Sequence, residues 1–219
     1  CGTSTQNIDK VTMKKPNGPV FVVIAASLWA VDGVLRRSLY ALPPLTIVIY
    51  EHLIGLLILV PANWRQLHPK MITRQSWVVA GAIGLFSGLI GTLAFTAALQ
   101  QVNYIPFSVV LLVQKLQPIF AGITAYILLK EHFTRKYFFW AALALVAGFF
   151  VTFPNGQISW MTGQAQIQAA LLALLAAACW GGSTSLSKLL LHHQTDSQAT
   201  TLRFGFTLLW SLLAMVIFS

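Results

Sequence analysis

Residues 77–99 read WVVAGAIGLFSGLIGTLAFTAAL. No charged side chain interrupts this run, and it exceeds the ~20 apolar residues that a helix needs to cross the hydrocarbon core of a bilayer. Gly81, Gly84, Gly88 and Gly91 recur at spacings of three, four and three, so they share one helical stripe. Gly84 and Gly88 form a GxxxG pair, which lets two helix backbones approach closely in lipid. The stripe is read as a helix-packing face. A smooth face for sliding is the alternative.

Six further stretches have the same character: about 19–41, 45–62, 105–129, 137–153, 168–190 and 199–218. They are too long, and too poor in alternation, to be strands. Composition agrees. The 219 residues are 57% hydrophobic and 9% charged, against about 25% charged in a soluble domain, and mean hydropathy is +0.73. A cytosolic enzyme, a disordered chain and a nucleic-acid binder are excluded on these grounds. The net charge of +9 comes from scattered Lys and Arg, with no run that would track phosphates. Cys1 and Cys179 are too few for a disulfide framework or a cysteine metal site. No Ser-His-Asp set, metal-ligand cluster or phosphate loop is visible, so no enzyme activity, metal or cofactor is expected. His192-His193 read as a solvated turn.

Orientation follows from Lys and Arg placement. With the N-terminus in the cytoplasm, Lys10, Lys14, Lys15, Arg65, Lys70, Arg74, Lys130, Arg135, Lys136 and Lys188 fall inside, and only Arg36 and Arg37 fall outside. The polar tail 1–18 begins at Cys1 without Met, which fits either a fragment or a processed start.

Shifting the sequence by 151 residues places Ala25, Ala26, Trp29, Leu35, Leu39 and Leu57 on Ala176, Ala177, Trp180, Leu186, Leu190 and Leu208. Five helices separate the copies. Five is odd, so the second copy enters the membrane upside down, as in the inverted repeats of secondary transporters. The expected fold is an all-α polytopic membrane bundle: seven transmembrane helices of a 5+5 inverted repeat of ten. The first repeat covers 19–153 and an incomplete second covers 154–219. Three more helices are expected after Ser219.

Leu116-Gln117-Pro118-Ile119-Phe120-Ala121, then Leu128-Leu129-Lys130-Glu131-His132, then the Ala- and Leu-rich Ala141–Gly148 resemble the end of an EamA domain. Trp29 and Trp180-Gly181-Gly182 resemble that family's pattern at the start of each repeat. The resemblance implies the drug/metabolite transporter (DMT) superfamily: an inner-membrane, multi-pass permease exporting a small solute. Helix two departs from the pattern, carrying Glu51-His52 where the family commonly has Arg; the second copy does carry Arg203 there.

Ionisable groups at bilayer depth are expensive, roughly 2.5–3.5 kcal/mol each on insertion scales, and by default mark a cavity. Lys115 lies mid-span beside Gln114 and Pro118. Its ammonium is expected to meet a carboxylate or phosphate on the solute, or else to pair with Glu51 or Asp32. Asp32 and Arg36 share a helix face, with Trp29 one turn earlier. They make either a cavity wall or an internal ion pair near the outer interface, where Arg36 and Arg37 snorkel. Arg203 is a further solute contact or a snorkelling residue, and Trp180 is the repeat partner of Trp29. Glu51 and His52 are proton-carrier candidates, with a structural hydrogen bond between helices as the alternative; lying about 100° apart, they do not face one cavity together. The expected function is alternating-access transport of an amino-acid-like or other organic anion, with proton coupling through Glu51 or Asp32 as a hypothesis. The expected partners are that solute and the lipid bilayer, with no nucleic acid. A second copy of the chain is a further candidate partner. A non-transporting structural or assembly protein that packs through its Gly-rich helix and a multidrug exporter stand as rivals.

Overall fold

The computed structural model describes residues 18–67, 72–101, 107–152 and 164–218. Every regular element among them is helical, as a backbone in lipid requires if its N–H and C=O groups are to be satisfied within the segment. In chain order they are α1 (Gly18–Ser38), α2 (Pro44–Asn63), α3 (Arg74–Ile83), a π-helical segment (Gly84–Gly91), α4 (Thr92–Gln100), α5 (Phe107–Gln114), α6 (Gln117–Leu129), α7 (Arg135–Thr152), α8 (Gln164–Leu191) and α9 (Asp196–Phe218). The tail 1–17, the expected turn at Asn103 and Pro106, and the loop after Pro154 lie outside the described residues.

Six helical stretches are long and apolar enough to cross a membrane: 18–38, 44–63, 74–100, 109–129, 167–191 and 196–218. The expected seventh span, 137–153, folds as the helix α7 as far as Thr152; residue 153 lies outside the described residues.

Local chemistry sets the boundaries. Pro44 opens α2, where its missing N–H is no loss. Pro61 lies in the last turn of α2, and the chain tightens into a 3-10 turn at Trp64–Gln66. Thr73 caps α3, its hydroxyl accepting from the Ser76 N–H at 3.1 Å. α9 starts on a capping box: the Thr195 N–H donates to Gln198 Oε1 at 3.0 Å, and the Gln198 N–H returns to Thr195 Oγ1 at 3.3 Å. Lys130 closes α6 with φ of 54°, a left-handed cap usually given to glycine.

The chain divides into two compact units, 1–35 and 36–219. The described part of the first is the body of α1, whose Val20, Phe21 and Leu28 are exposed. Exposed apolar side chains are what a lipid solvent calls for. In the second unit, α8 presents Ala169, Ala173 and Ala176 to Phe95, Ala98 and Leu99 of α4 and Val110 of α5, all buried. A second cluster joins Ala80 and Ile83 of α3 to Leu190 of α8 and Leu202 of α9. α3, the π segment and α4 form the most buried of the six spans. It is packed by both α8 and α9.

Candidate functional site

The polar residues at bilayer depth concentrate where α2 meets α9. Arg36 is only 5% exposed. Its Nη2 lies 2.7 Å from Glu51 Oε2, and its Nη1 donates to Thr96 Oγ1 at 3.0 Å. A guanidinium buried this deeply needs such partners, because its desolvation is otherwise uncompensated. Glu51 stays half-open to its surroundings at 37% exposure. His52, one residue on, is buried. Its Nδ1 lies 2.8 Å from the Val48 carbonyl, which only accepts, so Nδ1 carries the proton. The same nitrogen is 3.9 Å from Glu51 Oε2.

α9 supplies the opposing wall. The Phe204 ring sits 4.8 Å from the His52 ring, tilted by 43°. Arg203 places its guanidinium carbon 5.9 Å from the Phe204 centroid. Its Nε is buried with no hydrogen-bond partner among the described residues. Gly55 makes this approach feasible: a Cβ there would stand 2.6 Å from Phe204 Cδ1.

Glu51 and His52 therefore lie side by side, with Arg203 next to the Phe204 ring that faces His52, and Glu51 takes Arg36, not Lys115, as its ion-pair partner. Lys115 sits at the break between α5 and α6. Its N–H is shared between the carbonyls of Leu111 and Leu112 at 3.2 and 2.9 Å. Pro118, lacking an N–H, cannot close the helical bond to Gln114. The Lys115 side chain is exposed and makes no ion pair among the described residues. Gln114 is buried, with its Nε2 unpartnered among them. On α1, Trp29 is exposed and Asp32 half-buried.

The Gly stripe is filled from within the chain. The π segment widens the helix from Gly84 to Gly91 and turns its carbonyls toward neighbours. Trp210 Nε1 donates to the Gly81 carbonyl at 3.0 Å, Thr207 Oγ1 to Gly84 at 3.3 Å, and Trp180 Nε1 to Ser87 at 2.9 Å. A Cβ on Gly84 would stand 2.6 Å from Phe206 Cβ. One on Gly88 would collide with Thr207, and one on Gly91 would stand 2.9 Å from the Trp180 ring. Among the described residues this face is packed by α8 and α9 of the same chain. Trp180 likewise has its N–H committed, leaving only its ring for a solute.

Sequence reasoning passed over Arg36 as the partner of Glu51, and over Thr96, Gly55 and Phe204. Helical spacing relates residues on one helix only, and all four contacts cross between helices.

A family model described as the EamA-like transporter family matches residues 16–153. The chain belongs to that family and is a multi-pass membrane protein. It is also 34% identical over 193 residues to the riboflavin transporter ImpX of Fusobacterium nucleatum subsp. nucleatum, an alignment that covers 87% of this chain and 64% of that protein. The chain thus spans somewhat less than two thirds of that relative's length. No solved structure matches it.

Proposed function

We propose that this protein is a permease for a small amphipathic metabolite, working by alternating access between two oppositely oriented halves, with the N-terminus in the cytoplasm and the protein in the cell's inner membrane. Riboflavin is the first solute to test, because the similar Fusobacterium protein is named for it. The observation that carries the reading is the half-open Glu51 carboxylate within the α2 span, ion-paired with Arg36 and beside His52, whose ring faces Phe204 of α9. Lipid would not tolerate such a group without a polar chamber beside it. The ring of Trp180 is proposed as a further wall of that chamber; Trp29 and Asp32 on α1 are proposed, by themselves, as solute contacts, and Glu51 or Asp32 as the carrier of a coupled proton.

Lys115 favours a second reading, an organic anion exported past the α5–α6 break. It is an exposed mid-span cation, beside a buried Gln114 amide whose Nε2 has no partner among the described residues.

Flux into and out of proteoliposomes separates these readings. A panel of riboflavin, amino acids and small carboxylates is offered with and without an imposed pH gradient. Saturable riboflavin flux supports the first reading, and flux of the anions alone supports the second. Movement of none of them contradicts both. Flux that ignores the gradient removes the proton-coupling step.

A further inference from the structure

We infer that the open pocket at the end of α2 binds the headgroup of an anionic phospholipid, with Arg65 on the phosphate and Trp64 against the glycerol–acyl boundary. The pocket holds about 670 Å³ and is lined by Val60, Pro61, Ala62, Asn63, Trp64 and Arg65. It lies where the α2 span ends and the chain tightens into a 3-10 turn. At the end of a span, hydrocarbon gives way to headgroups. Asn63 anchors the pocket and leaves nothing for a ligand to take: its Nδ2 donates to the Leu59 carbonyl at 3.0 Å and to Thr201 Oγ1 of α9 at 3.2 Å. Arg65 is the one charged residue in the lining. It is exposed and makes no ion pair or hydrogen bond among the described residues.

Charge decides the class of lipid. Residues 60–76 carry Arg65, Lys70 and Arg74 and no Asp or Glu, so this stretch of chain offers the guanidinium no carboxylate. The C-terminal end of a helix carries about half an elementary negative charge, which steadies Arg65 without neutralising it. A guanidinium matches phosphate oxygens with two parallel N–H donors. A zwitterionic headgroup would add a cation of its own to this basic stretch, whereas phosphatidylglycerol adds none. A free phosphate would satisfy Arg65 and leave the rest of the lining unused. Trp64 is 74% exposed, and an amphipathic indole sits well at headgroup level. Val60, Pro61 and Ala62 are apolar and suit the first carbons of an acyl chain. The site stands whatever solute is transported, and its failure leaves the transport reading untouched.

The test uses the protein in phosphatidylcholine vesicles doped with a small amount of acyl-brominated phosphatidylglycerol or, separately, of acyl-brominated phosphatidylcholine. Bromine quenches an indole that it touches. The Trp64 signal is the difference between each protein and its Trp64→Phe counterpart. In the wild type, phosphatidylglycerol is expected to quench at about 5-fold lower mole fraction than phosphatidylcholine, the preference one basic side chain near the surface provides. Arg65→Gln is expected to bring that ratio close to one. Lys136→Gln removes the same charge from the start of α7, two spans further along the chain and so on the same membrane face, and is expected to leave the ratio unchanged. Equal quenching by the two lipids in the wild type overturns the site. A ratio that falls as far with Lys136→Gln as with Arg65→Gln also overturns it, because diffuse surface charge then accounts for the preference. Inorganic phosphate, added at constant ionic strength, is expected to relieve no quenching; relief would make the occupant a free phosphate and overturn the lipid assignment.

Discussion

The indole N–H of Trp180 donates to the backbone carbonyl of Ser87 at 2.9 Å, in the middle of the π segment. The same carbonyl accepts from Thr92 Oγ1 at 3.1 Å, and the Trp180 ring lies 5.0 Å from Phe95. α8 is thus tied to the point where α3 widens. Trp180→Phe keeps the ring contact and deletes the donor. It is expected to lower stability by about 1 kcal/mol and to raise amide exchange in residues 84–92. Unchanged exchange there would show that the bond does not hold the segment.

Glycine replacements should sort by what faces them. Gly88→Ala drives a methyl group into Thr207, and Gly84→Ala drives one into Phe206; each is expected to lose roughly 1–3 kcal/mol through overpacking. Gly205, within α9, has nothing within 4 Å of an added Cβ. Gly205→Ala is expected to be stabilising by about 0.5–1 kcal/mol, since glycine is the poorer helix former. Thermal unfolding in detergent ranks the three.

The Arg36–Glu51 pair is expected to show coupling. Arg36→Ala leaves a carboxylate without its partner, and Glu51→Ala leaves a guanidinium buried. The double variant should therefore be more stable than the sum of the two losses implies, by about 1 kcal/mol or more. Strict additivity in a double-mutant cycle would contradict the pairing.

Lys188 and Glu131 form an ion pair between the end of α8 and the turn after α6. Lys188 is exposed and Glu131 half-exposed, so Lys188→Ala is expected to lose less than about 1 kcal/mol, and high salt should erase the difference. A larger, salt-independent loss would mean that the pair is screened far less than its exposure implies.

The helical architecture was legible because a span is a property of consecutive residues: the uninterrupted run 77–99 needs no partner to declare itself. The helix boundaries were less so, since α7 begins two residues before the expected 137, at Arg135 and Lys136. Glu51, His52 and Arg203 were legible as individual anomalies, charged or titratable groups where lipid forbids them. Their arrangement was not. The four-residue spacing of Asp32 and Arg36 relates residues on one helix only, whereas Arg36 meets Glu51 of another helix. The π segment was illegible as well. The glycines announced close packing, but the widened hydrogen-bond register depends on donors from α8 and α9 more than ninety residues away.

The central claim is that the charged groups at bilayer depth border a chamber open to water. The direct measurement is thiol accessibility, with Cys1 and Cys179 replaced by Ser and single cysteines placed at Glu51, Lys115 and, as a lipid-facing control, the exposed Leu57. A membrane-impermeant thiol reagent is applied to the protein in sealed vesicles. Modification at positions 51 and 115, slowed by the transported solute, with position 57 inert, is the result predicted. Positions 51 and 115 as unreactive as position 57 would contradict the claim.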